Sequence, residues 1–216
     1  MLERMSDFFE NRIDSYDEHM MTNIESAREF YPFTASCLPM EADASVLDLG
    51  CGTGLELREY FKLNPSAEVM GIDLSEKMLK RLVEALPGKK ISLTCGSYFD
   101  VPFGKDVFDA AVSVESLHHF TMEKKIPLYT KLYSALKDGG YFILTDYFAL
   151  SDDEEKMHQS ELEKLILTEG ASKDETYHYD TPLTVAHETE ALLAAGFSFV
   201  EIIGKWGATH ALRARK

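Results

Sequence analysis

The sequence predicts an α/β protein built on a doubly wound, mostly parallel sheet, with N-terminal helices, a late helical insertion and a C-terminal antiparallel hairpin. Three observations predict it. From Ser45 to Leu150, short apolar runs alternate with amphipathic stretches, the pattern of parallel strands joined by right-handed helical crossovers. The first apolar run ends in a glycine-rich loop, Gly50-Cys51-Gly52-Thr53-Gly54, that leads into a helix. The 216 residues are 45% hydrophobic, enough to bury one core without disulfides or metals, so residues 1–216 read as a single domain.

The elements follow in order. Phe9, Ile13, Tyr16, Met20, Ile24 and Ala27 recur at three- or four-residue spacing, one face of a helix. Ser6 or Asp7 is placed to cap it and Pro32 to end it, with a shorter helix over 34–40 completing a helical cover, 1–44. Strands are predicted near 45–50, 68–74, 91–96, 108–115 and 141–148, with helices near 54–62, 75–86 and 122–137 between them. Gly139-Gly140 stops the last of these helices and 45–150 forms the core. Ser151-Asp152-Asp153-Glu154 is a capping box that opens an acidic helix to about Thr168, in a lid over 151–182. Thr181-Pro182 caps another helix, closed by Gly196, and 198–204 and 208–214 form a hairpin around Trp206-Gly207, so that 183–216 is a helix and a hairpin.

The net charge of −15 is unevenly spread: 1–44 and 151–182 each carry ten acids against three bases. An acidic surface repels phosphate backbones, which disfavours nucleic acid as a partner. The two acidic segments either attract a cationic or amine substrate or are simply solvated helix faces, the plainer reading. No apolar run exceeds five residues, Ala191 to Ala195, against the roughly 20 a membrane helix needs. Cys37, Cys51 and Cys95 have no paired spacing, and the start of the chain lacks the apolar core of a signal peptide, so reduced thiols in a cytoplasm are expected.

The chemistry concentrates in Val46 to Gly54. Glycines let the backbone approach a ligand, and a helix N-terminus offers unpaired N–H groups. The spacing is GxGxG followed by Leu55, so the dinucleotide fingerprint fails at its third glycine. Asp48, two residues before Gly50, is a poor neighbour for a pyrophosphate and suits an ammonium or sulfonium ligand. Nineteen residues beyond Gly54, Asp73 ends the second strand, where an acid can accept both hydroxyls of a ribose. Its plainer role is a helix N-cap, for which Ser75 competes.

VLDLGCGTG, GIDLSEKML and LKDGGYFILTD together resemble the motifs of class I S-adenosylmethionine-dependent methyltransferases, which carry a Rossmann-like sheet. The resemblance is close over 45–150 and looser, toward the small-molecule branch, in the flanks. It implies S-adenosyl-L-methionine as cofactor, S-adenosyl-L-homocysteine as product, and in-line methyl transfer to a small-molecule acceptor. It places Gly50, Cys51 and Gly52 beside the methionine part, with Asp48 organising the loop. Asp73 holds the ribose, and Leu74 and Met78 pack near adenine. Ser97, followed by Tyr98, stands where the family carries an acid at the adenine amine, a weaker contact; Asp100 either replaces it or caps the loop. Val114 and Glu115 flank the cofactor's amino and sulfonium groups. Tyr16 lies on a helix that commonly closes over the cofactor in this family, or is a core aromatic.

No catalytic residue is obligatory, because the donor is already activated and alignment dominates. His119, Asp146 and Tyr147 are the substrate-facing candidates, with Tyr177-His178-Tyr179-Asp180 placed to line a lid. His118 and His119, read as adjacent on a strand, point to opposite faces, so no metal site is expected. Two rival readings are a carboxy-S-adenosylmethionine synthase, weakened by the lack of any arginine between Thr184 and Gly204, and a binding module without turnover.

Overall fold

A computed structural model describes residues 1–172 and 175–216. The chain runs α1 (Met5–Asn23), α2 (Ala27–Ser36), β1 (Ser45–Leu49), α3 (Leu55–Leu63), β2 (Glu68–Asp73), α4 (Glu76–Ala85), β3 (Lys90–Cys95) and β4 (Phe108–Val114). A 3-10 turn (Leu117–His119) then precedes α5 (Met122–Ala135), β5 (Leu136–Tyr147), α6 (Asp152–Glu169), α7 (Val185–Ala194), β6 (Phe199–Trp206) and β7 (Thr209–Arg215). The sheet order is β3-β2-β1-β4-β5-β7-β6, parallel except for β7, which is antiparallel to both neighbours. The doubly wound sheet and its terminal hairpin are as predicted. Successive strands are added outward in one direction from β1 to β3 and in the other from β4 onward, and this switch between the parallel strands β1 and β4 opens a crevice at their carboxyl ends.

Both faces of the sheet are buried, so the strands alternate between two cores rather than between core and water. Leu47, Leu49 and Ile72 pack with Leu128, Leu132 and Leu192 of α5 and α7. Val46, Val69 and Val112 pack with Phe30, Leu57 and Leu82 of α2, α3 and α4. Lys125 of α5 and Glu188 of α7 form a fully buried ion pair, with the Tyr129 hydroxyl donating to the same carboxylate.

Several boundaries differ from expectation for identifiable reasons. Pro32 does not end the first helix; it sits inside α2. The break comes earlier, where Ile24 is extended and Ser26 is left-handed at φ 59°, so Ala27 starts a new helix. As the sixth residue of α2, Pro32 forgoes only the bond to the Arg28 carbonyl. Ser6 and Asp7 fall within the first turn of α1 instead of capping it, since the helix starts behind Arg4. The helix expected over 34–40 is the end of α2. Gly139 and Gly140 lie within β5, four and five residues past the end of α5 at Ala135, with Gly139 turning at φ 78°. Thr184, not Thr181-Pro182, caps α7, its Oγ1 accepting from the His187 N–H at 3.2 Å. Half of the capping box of α6 forms as read, with Ser151 Oγ accepting from the Glu154 N–H at 3.2 Å, while the Glu154 carboxylate reaches one residue further back and accepts from the Leu150 N–H at 2.7 Å.

Among the described residues no helix is long and apolar enough to cross a membrane. Helix α1 buries only Met5 and Met20 and lies across the crevice rather than in the core. Ion pairs strap it to α3 and α4: Asp17 to Arg58 at 2.8 Å, Glu10 to Lys77 at 3.4 Å and Asp14 to Arg81 at 3.5 Å. Its start is tied to the segment after α6 by an Arg4–Tyr177 bridge and by Phe8 stacked on His178, ring centroids 3.4 Å apart.

Candidate active site

The loop after β1 is shaped by three left-handed glycines, Gly50 (φ 78°), Gly52 (φ 48°) and Gly54 (φ 75°). The N–H groups of Gly50 and Cys51 both donate to the Ile72 carbonyl, at 2.8 and 3.1 Å. A Cβ on Gly50 would lie 2.2 Å from Ser116 Oγ, so the close approach to the end of β4 requires glycine. Asp73, at the tip of β2, accepts from the Gly52 N–H at 2.8 Å and the Ser75 N–H at 2.9 Å. Burial nevertheless outweighs these donors and holds its carboxyl above the ordinary value. Beneath the loop, both carboxylate oxygens of Asp48 and Oε1 of Glu56 are buried without a hydrogen-bond partner. Burial first, then the adjacent Glu56 carboxyl, pushes Asp48 far above the usual carboxylate range.

Three cavities follow one another along the crevice and share walls. One of about 280 Å³ is lined by Leu74, Ser97, Tyr98 and Asp100. It meets a waist of about 40 Å³ between the loop glycines, Asp73 and Met78 on one side and Met5, Phe9 and Tyr16 of α1 on the other. Beyond the waist lies a cavity of about 420 Å³ under His118, His119, Tyr147, His178, Asp180 and Trp206. Phe9, Tyr16 and Glu115 line both the waist and the large cavity. Glu115 takes φ 48°, a backbone conformation non-glycine residues adopt seldom and mostly where structure over-determines it. Its N–H donates to the Thr145 carbonyl at 2.9 Å and its Oε1 accepts from Thr209 at 3.2 Å. Burial and then the charge of Asp146 lift its carboxyl to about 7.

In the large cavity His118 Nδ1 donates to Asp146 Oδ1 at 2.6 Å. Asp146 is itself held by the N–H groups of Leu117 at 2.8 Å and Tyr147 at 2.9 Å. Burial opposes protonation of His118, but the charges of Asp146 and Glu115 and the hydrogen bonds of Asp146 and Asp180 prevail and lift it to about 10. His119 goes the other way, lowered by burial and by the neighbouring His118. His178 falls to about 4 for the same two causes, burial first and then His119.

Most of the residues singled out from sequence come together here, though not all face the crevice. Tyr16, Gly50, Gly52, Asp73, Leu74, Met78, Tyr98 and Glu115 line the waist, and Ser97 and Asp100 the smaller end. His119 and Tyr147 line the large cavity, whereas Asp146 lies behind His118. Cys51 instead turns its sulfur into the core, 2.8 Å from where a Gly71 Cβ would sit. Val114 joins the core with Met20 and Val112. The expected opposition of His118 and His119 fails, because the two occupy a 3-10 turn and not a strand, and their ring centroids are 4.0 Å apart. Phe9, Ser116 and Trp206 were not singled out as site residues; Ser116 lies at the site because it follows β4, whereas Phe9 and Trp206 reach it only because α1 and the hairpin fold over it.

A family model described as "Methyltransferase domain" matches residues 46–140. The carboxy-S-adenosyl-L-methionine synthase of Campylobacter fetus subsp. fetus is 30% identical over 179 residues, covering 77% of this chain and 75% of that enzyme. The chain belongs to the class I S-adenosylmethionine-dependent methyltransferases. The cofactor of this methyltransferase is therefore S-adenosyl-L-methionine. The demethylmenaquinone methyltransferase of Symbiobacterium thermophilum is 36% identical over 104 residues, 45% of this chain and 40% of that one. Among solved structures, a putative O-methyltransferase from Nostoc punctiforme superposes with a TM-score of 0.73 at 23% identity, covering 99% of this chain and 62% of that one.

Proposed function

We propose that this methyltransferase transfers a methyl group to a small-molecule acceptor held in the large cavity. The observation that carries the reading is the shared wall: Phe9, Tyr16 and Glu115 face both the glycine-loop waist and the cavity of about 420 Å³. That volume is of the size that takes a small organic ligand, about 300–1,000 Å³.

The residues present fit the cofactor. The Asp48 carboxyl lies buried under the loop with both oxygens unpartnered, and in this reading it organises the loop. A side chain at Gly50 would disrupt the cradle, and Asp73 reaches into the waist with lone pairs to spare. In this reading Asp73 binds the ribose, Leu74, Met78, Ser97 and Tyr98 surround the adenine, and Gly50, Gly52 and Tyr16 hold the methionine end. Cys51 and Val114 support the loop and strand from behind. The bound cofactor supplies an activated methyl on sulfonium, whose bond to sulfur breaks as the bond to the acceptor forms. Glu115 fixes the junction where acceptor and donor meet, and α1 excludes water from it. In this reading the waist of about 40 Å³ widens on binding, with Phe9 and Tyr16 of α1 as its movable wall. The lightly buried α1 is suited to that motion. The acidic surface and the absence of a basic footprint support a small molecule rather than nucleic acid, and unpaired cysteines are in keeping with a cytoplasmic setting.

A second reading, modification of the cofactor itself, draws on the similarity to the Campylobacter fetus enzyme. An added carboxylate needs a cation, and among the described residues the large cavity is lined by no lysine or arginine but by three carboxylates, Glu25, Glu115 and Asp180. Methyl transfer is the better fit. Titration with S-adenosyl-L-homocysteine by calorimetry, followed by methyl-labelled donor and a panel of small amines, thiols, phenols and acids, tests the proposal. Asp73→Ala is expected to weaken homocysteine-product binding by about 1.5–3 kcal/mol, as for hydrogen bonds to a charged group. Unchanged affinity in the folded variant removes Asp73 from the site. Recovery of a carboxylated nucleoside by mass spectrometry, with no methylated acceptor, overturns the first reading in favour of the second.

A further inference from the structure

We propose that His118, His119 and Asp180 form a binding site for one divalent transition-metal ion in the wall of the acceptor cavity. Asp180 Oδ1 lies 3.5 Å from His118 Nε2 and 3.1 Å from His119 Nδ1, and one donor atom from each of the three residues falls within 4.8 Å of the others. A metal with bonds of about 2.0–2.2 Å to nitrogen and oxygen spans neighbouring ligands by about 2.9–3.5 Å. Small rotations of the rings therefore close the set around an ion. The 3-10 turn makes this possible: at three residues per turn, successive side chains diverge by about 120°, not the opposed directions of a strand.

The outer contacts are those of a metal-bound histidine. The Asp146 carboxylate takes the Nδ1 proton of His118 at 2.6 Å and is itself pinned by two backbone N–H groups. His118 Nε2 is aimed at Asp180 with its ring orientation locked, and a bound ion displaces the Nε2 proton of the imidazolium to give the carboxylate–histidine–metal arrangement that fixes tautomer and raises ligand basicity. His119 Nδ1 also lies 3.2 Å from the Tyr179 carbonyl, so metal binding moves its proton to Nε2 and gives up that hydrogen bond. Charge favours a cation here, since Glu115, Asp146 and Asp180 surround the site and, among the described residues, no lysine or arginine lines the cavity. Two imidazoles and one carboxylate select zinc-, cobalt- or iron-class ions over magnesium or calcium, which prefer all-oxygen shells. Three protein ligands leave a coordination position open to the cavity, for an oxygen or nitrogen donor of the acceptor. Metal binding does not depend on the methyl-transfer reading, and its test uses neither cofactor nor acceptor.

The experiment is titration of EDTA-stripped protein with Co²⁺, followed by visible absorption, with Zn²⁺ competition and metal content after dialysis as second readouts. One equivalent per chain is expected, with ligand-field bands that Zn²⁺ abolishes. Asp180→Asn should lower affinity by more than the about 10–100-fold that Asp146→Asn, a positioning change, should cost. Asp180 is half-exposed, so its variant keeps the fold; circular dichroism checks this, and Glu84→Gln on the exposed face of α4 serves as a surface control. Binding well below one equivalent overturns the proposal. So does stoichiometric binding that Asp180→Asn and His119→Gln leave unchanged, because the ion then sits elsewhere.

Discussion

Replacing Gly50 by alanine probes the contact that brings the glycine loop against the end of β4. Two costs follow from the structure. Gly50 sits at φ 78°, a left-handed conformation that costs a residue with a Cβ about 1–2 kcal/mol. The new Cβ would fall 2.2 Å from Ser116 Oγ and 2.8 Å from Ser116 Cβ, an overpacking of about 1–3 kcal/mol. The alanine also lowers the entropy of the unfolded chain, which offsets up to about 1 kcal/mol. A net loss of about 1–5 kcal/mol is therefore expected in urea unfolding, within the stability of an ordinary domain. Ser116→Gly in the same chain removes both clashing atoms and leaves the backbone term. The double-mutant cycle should then recover about 1–3 kcal/mol as coupling between the two sites. Additive single effects, within about 0.5 kcal/mol, would refute the close approach on which this account of the loop depends.

Two further outcomes follow from buried charge. Asp48 is held well above its ordinary value by burial and by Glu56, so the folded chain binds more protons than the unfolded one once pH exceeds the ordinary carboxylate range. The sign is thus a loss of stability as pH rises from about 4 toward the raised folded value, and Asp48→Asn should flatten that slope and raise the urea midpoint at neutral pH; parallel slopes for the two proteins would contradict it. Lys125→Met leaves Glu188 charged in a dry core and should cost about 3–5 kcal/mol, with Lys125→Met/Glu188→Met recovering part of the loss. A thermal-melt series in which the double variant is no better than the single would show that the pair is not electrostatically linked.

Local chemistry is enough for the parts of this protein that one segment specifies alone. Val46, Leu47 and Leu49 around Asp48, and the apolar run Phe142–Leu144, are buried as central strands, and the Gly50–Gly54 loop needs glycine at each left-handed position. The capping box at Ser151 likewise depends on neighbours three residues apart. Pro32 shows where such reasoning stops. A proline signals a helix end, but its actual cost at that position is one hydrogen bond, which the burial of Phe30, Tyr31 and Ala35 outweighs.

The sequence by itself determined the sheet, its two-sided core, the family and hence the cofactor, because each rests on periodicity or on motifs read within one stretch of chain. Tertiary structure alone decided what faces the acceptor. His118 turned toward Asp180 because a 3-10 turn follows β4, and Asp146 came behind it from the next strand. Phe9 and Tyr16 became the waist because α1 crosses the crevice, and Trp206 arrived from the C-terminal hairpin. These positions depend on long-range packing and loop closure, which no local pattern encodes, so the chemistry of the acceptor site exists only once the separate segments meet.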